Sequence, residues 1–128
     1  MNPEFLRLWL TDIAKNCDKS IGELCYIFCS DEYLLKINKE YLNHDYYTDI
    51  ITFNYNQGEV ISGDIFISID TVRSNAREYA QGNEQIELFR VMAHGMLHLC
   101  GYNDKTDSEQ LEMTKMEDWA LEELKRFT

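Results

Sequence analysis

His94 and His98 stand four residues apart in a segment that is otherwise almost wholly apolar: Ile86, Leu88, Phe89, Val91, Met92, Ala93, Met96, Leu97 and Leu99. Such a segment predicts a helix buried in the core. Its polar residues, Glu87, Arg90, His94 and His98, follow at intervals of three, four and four, which puts them on one stripe. An i, i+4 pair sets two imidazoles one above the other, where both can reach a single ion. The plainer alternative gives each histidine its own backbone or carboxylate partner. The chain has only three histidines, however, and two of them occupy this stripe. A third ligand is expected just beyond the helix, where Gly101 lets the chain turn back. Asp104 fits that place. Cys100, its competitor, follows His98 by two residues, about 200° around the helix, so its thiol points away. Two imidazoles, one carboxylate and an open position make a catalytic zinc pattern. Iron, nickel or manganese suit the same donors.

Gly95 stands where zinc peptidases with H-E-x-x-H carry their general base. A mid-helix glycine costs about 1 kcal/mol, so close approach of substrate or a neighbouring strand is expected there. Without the glutamate, water activated by the ion is the expected nucleophile. The spacing thus points to a metallohydrolase and weakens the peptidase reading.

These residues need a frame. Residues 2–17 predict a helix with Asn2 as N-cap, Pro3 at N1, and Phe5, Leu8, Leu10 and Ile13 on its apolar side. A strand is expected over 23–29 and a helix over 31–42, with Leu34, Leu35 and Ile37 inward. After a polar bend at 43–45, strands are expected over 50–55 and 59–69, joined by a turn at Asn56-Gln57-Gly58. Ile65, Ile67 and Ile69 alternate on one face of the second. Asp70 is expected to cap a helix reaching Ala80, Asn83 to cap the central helix, and Gly101 to stop it. Thr106 and Glu109 form a capping box for a last helix, whose acids Glu112, Glu117, Asp118, Glu122 and Glu123 read as a solvated face. This order gives an α/β (α+β) single domain over residues 1–128. A small mixed sheet is covered by helices, with the metal site at the end of the buried central helix.

The 128 residues carry 23 acids and 12 Lys or Arg, a net charge of −11. With 45% hydrophobic residues the composition is globular. No apolar run approaches a membrane span, and no leader pattern marks the start, so a cytoplasmic protein is expected. Cys17, Cys25, Cys29 and Cys100 form no CxxC and are expected to be buried free thiols. A chain this acidic should repel polyphosphates unless it gathers its few cations or binds a metal.

The run His94-Gly95-Met96-Leu97-His98-Leu99-Cys100-Gly101-Tyr102-Asn103-Asp104 resembles the signature of the YbeY family, H-G-x-L-H-L-x-G-Y-D-H. Upstream segments match as well: Ile37-Asn38 with Tyr41, Thr48 to Phe53, and Gly63-Asp64-Ile65. The resemblance spans about residues 25–104. It implies a bacterial metal-dependent endoribonuclease that matures the 3′ end of small-subunit ribosomal RNA and serves ribosome quality control. It also implies a small α/β sandwich holding one divalent ion, zinc first, with His94 and His98 as ligands. Implied partners are ribosomal RNA and the small subunit, with ribosomal proteins or an assembly GTPase, and no membrane.

Three positions depart from the family. Asp104 replaces the third histidine, and its charge should make the ion a weaker Lewis acid. Leu42 stands where the family has an arginine facing phosphate. His44, Arg73 or Arg90 are the candidate substitutes, with pairing to Glu87 the structural alternative for Arg90 and solvation that for Arg73. The chain also begins almost at the first helix, where the family has a strand, so a shortened sheet edge or a truncated start is expected. Thr48 and Asp49 are expected mainly to brace their strand.

The leading expectation is a single-strand endoribonuclease with metal ligands His94, His98 and Asp104. His44 and Arg90 are its candidate catalytic residues, and Arg73 and Arg77 its candidate substrate-binding residues. The alternatives are a zinc metallopeptidase and a metal-bearing ribosome-assembly factor without catalysis. On the leading reading, one ion and a few cations draw phosphate while the broad surface repels it. RNA binding should then be weak, with a shallow salt dependence.

Overall fold

The computed structural model describes residues 3–127. Along the chain run α1 (Pro3–Asn16), β1 (Ser20–Cys29), α2 (Asp31–Leu42), β2 (Ile50–Asn54), β3 (Val60–Ser68), α3 (Ile69–Tyr79), α4 (Glu84–Leu99) and α5 (Asp107–Leu124). The sheet order is β1-β3-β2. β1 lies parallel to β3, with α2 and β2 between them in sequence, and β2 is antiparallel to β3. This is the small mixed sheet covered by helices that the sequence predicts.

Alternation along the strands sorts side chains to two faces. Ile61, Ile65 and Ile67 are fully buried and face the large core shared with α4, together with Trp9, Ile13, Met96 and Leu97. Ile51, Phe53, Phe66 and Cys29 face the other way and pack with Leu34 and Ile37 of α2. One helix therefore covers one face, and the remaining helices gather around α4 on the other. Among the described residues, no helix is long and apolar enough to cross a membrane.

Local corrections follow from this packing. In α1 the buried face is Trp9, Leu10, Ile13 and Ala14, while Leu8 stays 48% exposed. Two i, i+4 pairs centre the face away from Leu8, and the Trp9 indole donates to the Ala120 carbonyl at 2.8 Å, tying α1 to α5. Asn2, the expected cap, lies outside the described residues. Helix α3 begins one residue after the strand, so its cap is Ser68, whose hydroxyl accepts from the Thr71 amide, and not Asp70. Asp70 instead accepts from the Asp31 amide at 3.0 Å. Asp31 returns the exchange by accepting from the hydroxyls of Ser68 and Thr71. The first turns of α2 and α3 are thereby locked together. Asn83 caps α4 and Thr106 with Glu109 forms the capping box of α5, as the spacing predicts.

All four cysteines are free, but Cys25 is exposed. By alternation it shares the face of Cys29, yet only Cys29 is packed against α2. Cys100 turns away from the histidines to hydrogen-bond Cys17, and this pulls the Cys17 thiol down to about 7.

Candidate metal centre

Helix α4 carries the stripe expected of it, and its neighbours fix what each stripe residue does. Val91, Met92, Ala93, Met96 and Leu97 are buried, so the helix cannot rotate without exposing them. Gly95 explains its own presence. A Cβ there would lie 2.9 Å from Ile50 Cδ1 and 3.0 Å from Ile65 Cγ2. The sheet thus approaches the helix backbone where an alanine would already crowd it. A glutamate at this position would be driven among isoleucines, so the peptidase alternative lacks its general base for a steric reason.

The two histidines protrude with rings 4.5 Å apart and nearly perpendicular, at 85°. Each has its Nδ1 held. That of His98 lies 3.0 Å from the Tyr102 carbonyl oxygen. A carbonyl only accepts, so this nitrogen carries the hydrogen and leaves Nε2 with a free lone pair. The turn that supplies this carbonyl depends on Gly101, whose φ of 109° is left-handed. Asn56 steadies the same turn from the β2–β3 connection by donating to the Leu99 carbonyl at 2.8 Å. His94 Nδ1 lies 2.6 Å from Glu117 Oε2.

Both Nε2 atoms converge on Asp104 Oδ2, each at 3.4 Å. Among the described residues these three side chains form a group able to hold a metal ion. Ligand bonds of about 2.0–2.1 Å in tetrahedral geometry separate donor atoms by roughly 3.3–3.4 Å, so Asp104 Oδ2 already stands at ligand spacing from both nitrogens. Two lone pairs and a carboxylate oxygen facing one another call for a positive charge between them. The residues fit a divalent ion.

Glu117 is the functional residue that the sequence reading misses. It is only 9% exposed, and it is not part of a solvated face. One oxygen takes His94 and the other accepts from Arg90 Nη1 at 3.0 Å. Arg90 also donates to Asp118 at 2.7 Å. The guanidinium is thus occupied by α5 carboxylates, not by Glu87 and not by a free phosphate site. A signal was available: Met113, Glu117, Ala120 and Leu124 lie at helical spacing, so an acid interrupts an apolar stripe. The chain Arg90–Glu117–His94 is the carboxylate–histidine support that metal-binding imidazoles commonly use.

The other candidates lie elsewhere. Arg73 pairs with Glu84 at 3.8 Å and is exposed, and Arg77 Nε donates to the Arg73 carbonyl at 3.4 Å. His44 Nδ1 pairs with the Tyr46 hydroxyl at 3.0 Å, and the two rings stack. Among the described residues none of these three is seen to contact His94, His98 or Asp104. Thr48 does brace its strand, by donating to the Ile50 carbonyl. Asp49 offers its carbonyl to the Ser68 amide, but its carboxylate also acts electrostatically on His94.

Burial pulls the proton affinity of His94 down, yet the Glu117 hydrogen bond, with the charges of Glu117, Asp49 and Asp104, raises it overall above 6.5. A raised folded pKa contributes stability that is fully present below the unfolded value and lost as pH rises through the folded one. Without metal, the melting temperature of the protein should therefore exceed that of His94→Gln by more at about pH 6 than at about pH 8. Thermal melts in a chelator measure this, and a margin that grew with pH would contradict it. With metal the order reverses, because the proton and the ion compete for Nε2.

Comparison with known proteins agrees with this arrangement. A family model described as Endoribonuclease YbeY matches residues 4–125. The chain is 52% identical over 113 residues to Endoribonuclease YbeY of Bacteroides thetaiotaomicron, covering 88% of this chain and 82% of that protein. It is 51% identical over 119 residues to Endoribonuclease YbeY of Flavobacterium psychrophilum, covering 93% and 82%. A protein of Thermotoga maritima solved in solution superposes with a TM-score of 0.68 at 30% identity, covering 94% of this chain and 79% of that one. With a family match along almost its whole length and relatives at half identity, the chain belongs to the YbeY endoribonuclease family.

Proposed function

We propose that this protein is a metal-dependent endoribonuclease that cuts single-stranded RNA during maturation of ribosomal RNA, at the 3′ end of the small-subunit RNA, and in ribosome quality control. The observation that carries the reading is the convergence of His94 Nε2, His98 Nε2 and Asp104 Oδ2, in a chain whose relatives bear the name endoribonuclease. A divalent ion bound there, zinc in the first instance, would activate water for attack on phosphorus and offset charge on the phosphodiester in the transition state. The protein's own share is to hold Nδ1 of both imidazoles, through the Tyr102 carbonyl and the Glu117 carboxylate, so that each Nε2 is turned toward the ion. The expected setting is the cytoplasm, with the small ribosomal subunit, its proteins or an assembly GTPase as partners that bring the RNA.

The test uses purified protein with its metal content measured. Incubated with single-stranded RNA, duplex RNA and an unfolded protein, it should cut the single strand alone, stop in chelator and recover with zinc. Cleavage of the unfolded protein alone, or a native preparation without bound metal, would overturn the proposal.

A further inference from the structure

Asn38 is only 2% exposed although it is polar, and its hydrogen bonds show what that burial secures. Its carbonyl accepts from the His44 amide at 3.1 Å, and its side-chain amide donates to the Tyr46 carbonyl at 2.9 Å. Asn43, at φ 57°, makes the bend between them. The connection from α2 to β2 is thus pinned from below, while its side chains point outward. Four of the eleven exposed large apolar side chains among the described residues fall within 41–47: Tyr41, Leu42, Tyr46 and Tyr47. Tyr46 and Tyr47 are 56% and 62% exposed. The His44 and Tyr46 rings lie nearly parallel, with centroids 5.1 Å apart and 19° between planes, braced by the contact of the tyrosine hydroxyl with Nδ1. A pinned backbone displaying flat rings to solvent is an unusual use of apolar surface.

The place of this surface gives it a use. The connection runs through Thr48 and Asp49 directly into β2. Its first residue, Ile50, packs against Gly95, the neighbour of His94. The connection offers phosphate little, since Lys39 beside it is paired with Asp45 at 3.2 Å. A chain of net charge −11 cannot hold RNA by counter-ion release from many lysines and arginines. Unpaired bases can be held in another way, because every base has a π-face that stacks on an aromatic ring.

We propose that His44, Tyr46 and Tyr47 form a base-stacking platform for unpaired nucleotides of the RNA strand whose phosphodiester lies at the His94–His98–Asp104 cluster. The proposal rests on the endoribonuclease reading and deepens it. It accounts for single-strand preference, since the base faces of a duplex are already covered. It also moves His44 from the chemistry to the grip on substrate.

The test is fluorescence anisotropy of labelled single-stranded oligoadenylate with the metal-loaded protein and with Tyr46→Ala/Tyr47→Ala, both checked for melting temperature and metal content. Affinity should fall roughly tenfold or more per ring, as stacked bases do on alanine substitution. Tyr46→Phe/Tyr47→Phe should stay within about twofold of the parent, because a ring without its hydroxyl still stacks. An abasic strand should bind parent and alanine variant alike. In cleavage, KM should rise while kcat at saturation holds. Unchanged affinity and KM in the alanine variant, with RNA still cut by the parent, would overturn the platform alone. Parent protein that neither binds nor cuts RNA would overturn the endoribonuclease reading and the platform with it.

Discussion

Replacing Asp104 with alanine is expected to strip the ion from the protein and abolish RNA cleavage. Asp104 Oδ2 is 3.4 Å from both imidazole Nε2 atoms, so it is the third corner of the donor set. Two neutral imidazoles alone bind a divalent ion poorly beside exchangeable water. The loss in metal affinity should exceed the roughly 10–100-fold that follows removal of an outer hydrogen-bond partner. Elemental analysis of dialysed protein reads this without reference to activity. Asp104→His provides the informative contrast. It restores a three-imidazole set, keeps the ion and removes one negative charge from it. With less charge donated to the ion, the acidic limb of the pH–rate profile should move to lower pH. If Asp104→Ala retained stoichiometric metal after dialysis, the ligand assignment would be wrong.

The second large effect is expected at Glu117. In Glu117→Ala, His94 Nδ1 loses its acceptor and Arg90 loses one of its two carboxylates. The imidazole is then free to turn and to change tautomer. Metal affinity should fall about 10–100-fold, and excess zinc should restore most of the cleavage. That rescue separates a positioning role from a direct one. The proton affinity of His94 in the metal-free protein should also drop, because its main upward influence is gone while its burial remains. A titration of the imidazole by NMR follows that change directly. Arg90→Ala should weaken metal binding less, since it acts only through Glu117. Equal metal affinity in Glu117→Ala and the parent would show that the 2.6 Å contact does not support the ion.

These two expectations differ in how far the sequence foretells them. His94, His98 and Asp104 belong to one helix and the turn after it, so spacing and the flexibility of Gly101 are enough to bring them together. Glu117 arrives from another helix, through a packing of α4 on α5 that local periodicity does not encode. Its position among the acids of α5 also disguises it, although it sits on the apolar stripe of Met113 and Ala120. The same division runs through the fold. The caps at Asn83 and Thr106 are local and legible. Ser68 in place of Asp70 is not, because both residues can cap and only the length of β3 decides between them. Leu8 and Trp9 are both apolar neighbours, and the larger ring wins the core because its indole finds the Ala120 carbonyl. Cys25 looks like Cys29 in sequence, but only Cys29 has α2 packed against it. Arg90 reads as a cation in search of a phosphate until two carboxylates from α5 are seen to claim it.

The placement of all three donors within His94–Asp104 also bears on the order in which the molecule assembles. Contacts close in sequence form early, since little chain entropy is lost in closing a short loop. The last turns of α4, the Gly101 reversal and Asp104 can therefore meet before the sheet is complete and before α5 docks. An ion captured at that stage would favour the helix and turn that hold it, since anything bound to structured chain and not to unfolded chain stabilises it. Glu117, which reaches His94 from α5, would then raise the affinity to its final value. A metal centre here would thus have a local half able to load during folding and a tertiary half to retain what was loaded.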